Sequence, residues 1–150
     1  MRVLLSILLL LAGWPAPAAR ERACMEGTDI VPLCTILANP NTYNGREITV
    51  RGSYRMVLHG SVLVASGCSQ TYVNMRETQG YKADKRALKV IRIATKKDQF
   101  QFVDVVVRGT FRSAPQGECF GQNCLRYEIE SHELICAELP AKTSVAKEQR

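Results

Sequence analysis

The chain is poor in the residues that catalysis most often draws on. It has two histidines, His59 and His132, and neither lies in a recognised nucleophile or metal motif. No glycine-rich phosphate loop occurs. The leading apolar run, Val3 to Leu11, falls well short of the roughly 20 residues that span a bilayer. No Gly/Ser/Pro-rich stretch divides the chain, so one domain is expected. Acidic residues are also scarce beside basic ones: 14 Asp and Glu face 20 Lys and Arg, for a net charge of +6. Glu128, Glu130 and Glu133 are close in sequence, but Glu128 and Glu130 share the outward parity of a strand and read as solvated. With no partners to assemble around a reacting atom, no catalysis is expected.

What the chain does have is a leader, six cysteines and two phrases that match in residue class. Arg2, the apolar run and Ala16-Pro17-Ala18 compose a signal peptide over residues 1–19, with cleavage after Ala18 or Ala19. Leu11-Ala12-Gly13 is followed by Trp14, not by a lipid-bearing cysteine, so a soluble periplasmic or secreted protein without a stable membrane anchor is expected. Residues 20–140 form the domain and residues 141–150, polar and without large aromatics, a frayed tail. Cys24, Cys34, Cys68, Cys119, Cys124 and Cys136 all fall after the leader. An even number in an exported domain favours three disulfides, with Cys119–Cys124 the favoured pair because it would staple one loop on itself. Cys119, Cys124, His132 and Cys136 could instead hold zinc, but the spacing is not a common structural pattern and an oxidising space favours disulfides. No metal or cofactor is expected.

Asn39 to Tyr54 carries the fold. Pro40 stops a preceding helix, expected over Ile30 to Ala38 with Thr28 or Asp29 as its cap and Pro32 in its first turn. Asn44-Gly45 reverses the chain. Ile48, Val50, Tyr54 and Met56 then share one parity, a strand with one buried face, interrupted by Gly52 as at a barrel corner. Ile48 to Arg55 matches Val105 to Arg112 in residue class throughout, and two strands that bend alike are expected to pair, Gly52 beside Gly109. After Glu47–Leu58 come a turn at His59-Gly60-Ser61 and strands over Val62–Ala65 and Thr71–Met75. Gln79 to Asp98 reads as a basic amphipathic helix, with Lys85, Lys89, Arg92 and Lys96 on one stripe and Ala83, Ala87, Val90 and Ala94 on the other. The β-branched Val90, Ile91 and Ile93 leave a strand over residues 88–94 as the alternative. Strands follow over Gln101–Arg112 and from Leu125 to about Ile135. Five strands with a helix between the third and fourth is the element order of an OB-fold, a mainly β Greek-key barrel in which the first strand pairs with the fourth.

Several phrases carry a resemblance: Leu37-Ala38-Asn39-Pro40, Tyr43-Asn44-Gly45, Val50-Arg51-Gly52-Ser53-Tyr54, His59-Gly60-Ser61 with Leu63 and Cys68, and Val107-Arg108-Gly109-Thr110-Phe111. In these the chain resembles exported bacterial OB-fold-like proteins of unknown function. The resemblance implies the fold and export, and no activity. Netrin-like and metalloproteinase-inhibitor domains are also six-cysteine OB barrels, but begin at or near a Cys-x-Cys that this chain lacks.

The function expected is a non-catalytic binding or structural module of unknown ligand. The alternatives are a module that binds a polyanion (glycan, nucleic acid or anionic surface) or an acidic protein of the envelope, and a small exported enzyme or inhibitor. The candidate polyanion-binding residues are Lys85, Lys89, Arg92 and Lys96 on the helix, with Arg51, Arg55, Arg108 and Arg112 on the non-core parity of the paired strands. Tyr43 and Tyr72 are the candidate stacking aromatics; Tyr54, Phe111 and Tyr127 read as buried.

Overall fold

The structure is a computed structural model and describes residues 27, 29–65, 67–68 and 71–140. The expected leader over residues 1–19, Cys24, Thr28 and the expected tail over residues 141–150 lie outside the described residues. Strand accounts for 51 % of those described and helix for 21 %, so strand pairing sets the architecture. The elements run β1 (Ile30–Pro32), α1 (Leu33–Ala38), α2 (Pro40–Tyr43), β2 (Glu47–Val57), β3 (Gly60–Val64), β4 (Tyr72–Ala83), α3 (Lys85–Lys97), β5 (Val103–Ser113) and β6 (Tyr127–Glu138).

The six strands form one mixed sheet in the order β1-β2-β3-β4-β6-β5, and β2 also pairs with β5. β1 lies parallel to β2 and β4 parallel to β6; the other pairs are antiparallel. The alternation of Val103, Val105, Val107 and Phe111 places all four side chains in the core. Val50, Leu63, Val73, Ile129 and Leu134 meet them there, and Phe111 stacks on Tyr127 with ring centroids 5.7 Å apart. Leu33 and Ile36 of α1 and Ala87 and Ala94 of α3 close over this core.

The two matching phrases do pair, β2 with β5, but antiparallel. Gly52 therefore faces Val105 and Gly109 faces Ile48; the expected juxtaposition of the glycines is wrong, because antiparallel copies put equivalent residues at opposite ends. Each glycine has its own task. A Cβ on Gly52 would lie 3.3 Å from Leu33 Cδ2, so α1 rests against it, whereas a Cβ on Gly109 would lie 2.5 Å from the Glu130 carbonyl oxygen. After Gly52 the core parity is kept by Tyr54, packed partly buried against the core, and is lost at Met56, which is exposed; Ser53, on the opposite parity, is nonetheless buried and donates to Asp104 Oδ1 at 2.8 Å.

Other boundaries differ for identifiable reasons. The first helix is shorter than expected, because Ile30–Pro32 pairs with Thr49–Arg51 as a strand and Pro32 becomes a helix cap without a side-chain hydrogen bond. Pro40 ends α1 and also starts α2, with its fixed φ suited to a first helical position. The β2–β3 turn is Leu58-His59, and Gly60 and Ser61 already pair in β3. β4 runs to Ala83, well past Met75, so α3 starts at Lys85 and not near Gln79. Residues 88–94 are helical, not a strand. Asp84 caps α3 by accepting from the Arg86 and Ala87 amides at 2.8 and 2.9 Å. At the Asn44-Gly45 turn, Gly45 takes φ +75°. The Gly45 amide donates to Phe111 O and Asn44 Oδ1 accepts from the Ser113 amide, tying the turn to the end of β5.

Cys34–Cys68 and Cys119–Cys124 are disulfides, the second being the favoured pair, and Cys136 is disulfide-bonded as well. These bonds fit an oxidising, non-cytoplasmic environment. Among the described residues no helix is long and apolar enough to cross a membrane.

Candidate functional site

Three surfaces gather chemically distinctive side chains. The first is the outer face of β4, β6 and β5. Asn74, Arg76 and Thr78 of β4 alternate onto it, as do Glu128 and Glu130 of β6 and Arg108, Thr110 and Arg112 of β5. Glu128, expected to be solvated, is only 4 % exposed. It accepts from Asn74 Nδ2 at 2.6 Å and from Arg76 Nε at 3.3 Å. Glu130 accepts from another nitrogen of Arg76 and from Arg112 Nη2 at 3.0 Å. The covering element is the loop closed by Cys119–Cys124: a Cβ on Gly121 would lie 2.8 Å from Asn74 Oδ1. Burial of a carboxylate is tolerable here because charge-assisted donors satisfy it.

The strand pairing breaks register between Arg108 and Gly109, so that Arg108 faces Glu133 and Gly109 faces Ser131. His132 is left without a β5 partner at this bulge. Its Nδ1 lies 3.1 Å from Thr78 Oγ1 and its Nε2 3.2 Å from Thr110 Oγ1, so the ring bridges β4 and β5 across β6. Arg108 pairs with Glu133 at 3.2 Å. The four residues weighed as an alternative zinc set are otherwise engaged: the three cysteines are in disulfides and both nitrogens of His132 lie against threonine hydroxyls. The whole face works as a polar clamp on three strands.

The second surface is α3. Ala87 and Ala94 face the core with Val90 and Ile91 half-buried, as the small aliphatic stripe requires. Lys85, Lys89, Arg92 and Lys96 are exposed, and Arg86 and Lys97 join them. The helix contains no acidic residue, and none of the six cations has an ion pair among the described residues. Leu88 and Ile93 are exposed on the same outward arc, at 41 % and 56 %.

The third surface lies at the end of the β2–β5 pair, where the end of β2 meets the α3–β5 connection. Arg55 places its guanidinium carbon 5.6 Å from the Phe100 ring centroid and 5.0 Å from that of Phe102, within cation–π range. Met56, Leu58, Phe100 and Phe102 are all exposed there, Leu58 at 85 %.

The eight basic residues expected to act together are thus divided. Arg108 and Arg112 are held by Glu133 and Glu130, and Arg55 is half-buried against two aromatic rings. Arg51 is exposed on β2, between Pro32 and Val106 in the register. The four on α3 share one open face. Tyr72 is exposed, Tyr43 half-buried and Phe111 buried, while Tyr54 and Tyr127 pack partly buried against the core. Burial pushes the Tyr54 hydroxyl up, and pushes that of Tyr81 up to about 12, with the nearby Glu77 carboxylate adding to both. Sequence reasoning missed the Glu128–Asn74 pair, whose partners are distant along the chain. It also missed Phe100, which lies in a connection where no periodicity operates.

No protein-family model, curated protein or solved structure matches the chain.

Proposed function

We propose that the chain is an exported, non-catalytic binding module with an OB-like Greek-key barrel, and that its ligand is a polyanion held along α3. The barrel reading is supported by strand order: β2-β3-β4-β6-β5 with β2 paired back to β5, β4 parallel to β6, and a helix between β4 and β5. The signal-peptide pattern of residues 1–19 and the disulfides support export.

The observation that carries the ligand reading is the outward face of α3, with six cations and no acid within the helix. Like charges at helical spacing repel one another, so this face is electrostatically unfavourable until an anion meets it. The carboxylates of the β4–β6–β5 face do not relieve it, since they are already engaged by Arg76, Arg108 and Arg112. The test is retention of the full chain on immobilised heparin over a salt gradient. Elution at raised salt is expected, and K85S/K89S/R92S/K96S should elute much earlier because screening and charge removal act on the same interaction. Retention that ignores both changes would refute the reading.

A further inference from the structure

We infer that the anionic partner is a lipid bilayer surface, and that the molecule meets it with the β2–β3 turn and the α3–β5 connection. The inference rests on the reading of α3 as an anion-binding face and names the kind of anion.

A single exposed leucine means little. Here four exposed apolar side chains lie at the same end of the β2–β5 strand pair. Leu58 is at the tip of a two-residue turn, with Met56 two residues before it. Phe100 and Phe102 lie just before β5, and Arg55, near the end of β2, contacts both rings. The β2–β5 register runs as far as Tyr54↔Val103, so Arg55 and Phe102 are the next step along the same pair of strands. The one acid in the α3–β5 connection, Asp98, is occupied: its Oδ1 accepts from the Phe100 amide at 2.9 Å.

The cations adjoin this patch. Lys96 and Lys97 end α3, and Phe100 follows three residues later. A linear polyanion would use the lysines and arginines but offers nothing to a leucine at a protruding turn. An anionic bilayer uses both: apolar tips enter the acyl boundary while lysine and arginine heads stay among the phosphates. The exposed Leu88 and Ile93 beside the cationic stripe fit the same partner. Exposed apolar patches rimmed by charge mark such contacts.

The test is co-sedimentation of the full chain with vesicles of mixed phosphatidylglycerol and phosphatidylcholine, against vesicles of phosphatidylcholine alone, with heparin retention measured in parallel. The expected result is partition to the anionic vesicles only. L58S/F100S should then lower that partition about tenfold or more and leave heparin retention unchanged, whereas K85S/K89S/R92S/K96S should lower both. L58S alone, at a fully solvated turn, serves if the double variant melts early, and should lower partition in the same direction. Heparin binding without vesicle binding, or partition indifferent to L58S, would overturn the bilayer inference and leave the polyanion reading standing. Binding to neither would overturn both.

Discussion

Gly109 offers a sharp test of how tightly β6 approaches β5. Replacing it with alanine places a Cβ 2.5 Å from the Glu130 carbonyl oxygen and 2.9 Å from Ile129 Cγ2. The first neighbour is backbone in the strand paired with β5, next to a register shift, so it can retreat only by opening the β5–β6 ladder. Overpacking a core ordinarily costs about 1–3 kcal/mol, and a clash against paired backbone belongs at or above the top of that range. The entropy gained from Gly→Ala is under about 1 kcal/mol and does not offset it. A net loss of about 3 kcal/mol should lower Tm by upwards of about 10 °C in a domain of roughly this size. Gly52→Ala is the internal control, since Gly52 occupies the equivalent place in the matching phrase. Its Cβ would meet the far end of the Leu33 side chain at 3.3 Å, which can turn aside, so a change within about 1 kcal/mol is expected. Thermal melts followed by far-UV circular dichroism read both. Equal losses for the two variants, or a G109A melt within a few degrees of the parent, would show that the approach of β6 to Gly109 is not as tight as described.

Three further outcomes follow from the same contacts. Removing Cys34–Cys68 by double serine substitution should cost about 4 kcal/mol and removing Cys119–Cys124 about 2 kcal/mol by loop-closure entropy, given sequence separations of 34 and 5; unfolding free energies extrapolated to water with each variant's own m-value measure the difference, and the reverse order would refute it. Glu128→Ala leaves the buried Asn74 amide without its acceptor and should cost about 1–3 kcal/mol, read by urea unfolding, whereas Glu133→Ala, half-exposed and facing a solvated Arg108, should cost under about 1 kcal/mol. Because burial raises the Tyr81 hydroxyl from its ordinary 10.0 to about 12, the unfolded chain loses that proton first as pH rises. Its contribution is therefore intact below pH 10 and lost between about 10 and 12, and Tyr81→Phe should flatten that alkaline fall in stability.

The parts legible in sequence were those governed by neighbours along the chain. Asn44-Gly45 turns because Gly45 takes a positive φ that most residues resist, and the alternation from Val103 to Phe111 marks a strand without reference to anything else. The basic stripe of α3 is visible because its core face needs small residues at helical spacing. What was not legible depends on distant partners. Arg76-Glu77-Thr78-Gln79 shows no alternation of apolar residues, yet it extends β4 because β6 lies alongside it. Ile30–Pro32 reads as a helix start until Thr49–Arg51 offers it a strand to join. Glu128 looks like any outward strand carboxylate, and its burial comes from Asn74, 54 residues away, beneath a loop pinned by Cys119–Cys124. For the same reason, antiparallel pairing of the two like phrases put their glycines apart and not together.

Binding of a polyanion by the cationic face of α3 is read from the salt dependence of heparin binding by the full chain. Log affinity against log salt should fall steeply for the parent, since several cations displace counterions together, and the slope should flatten in K85S/K89S/R92S/K96S by an amount that reflects the charges removed. An unchanged slope in that variant, with the fold intact by circular dichroism, would contradict the account.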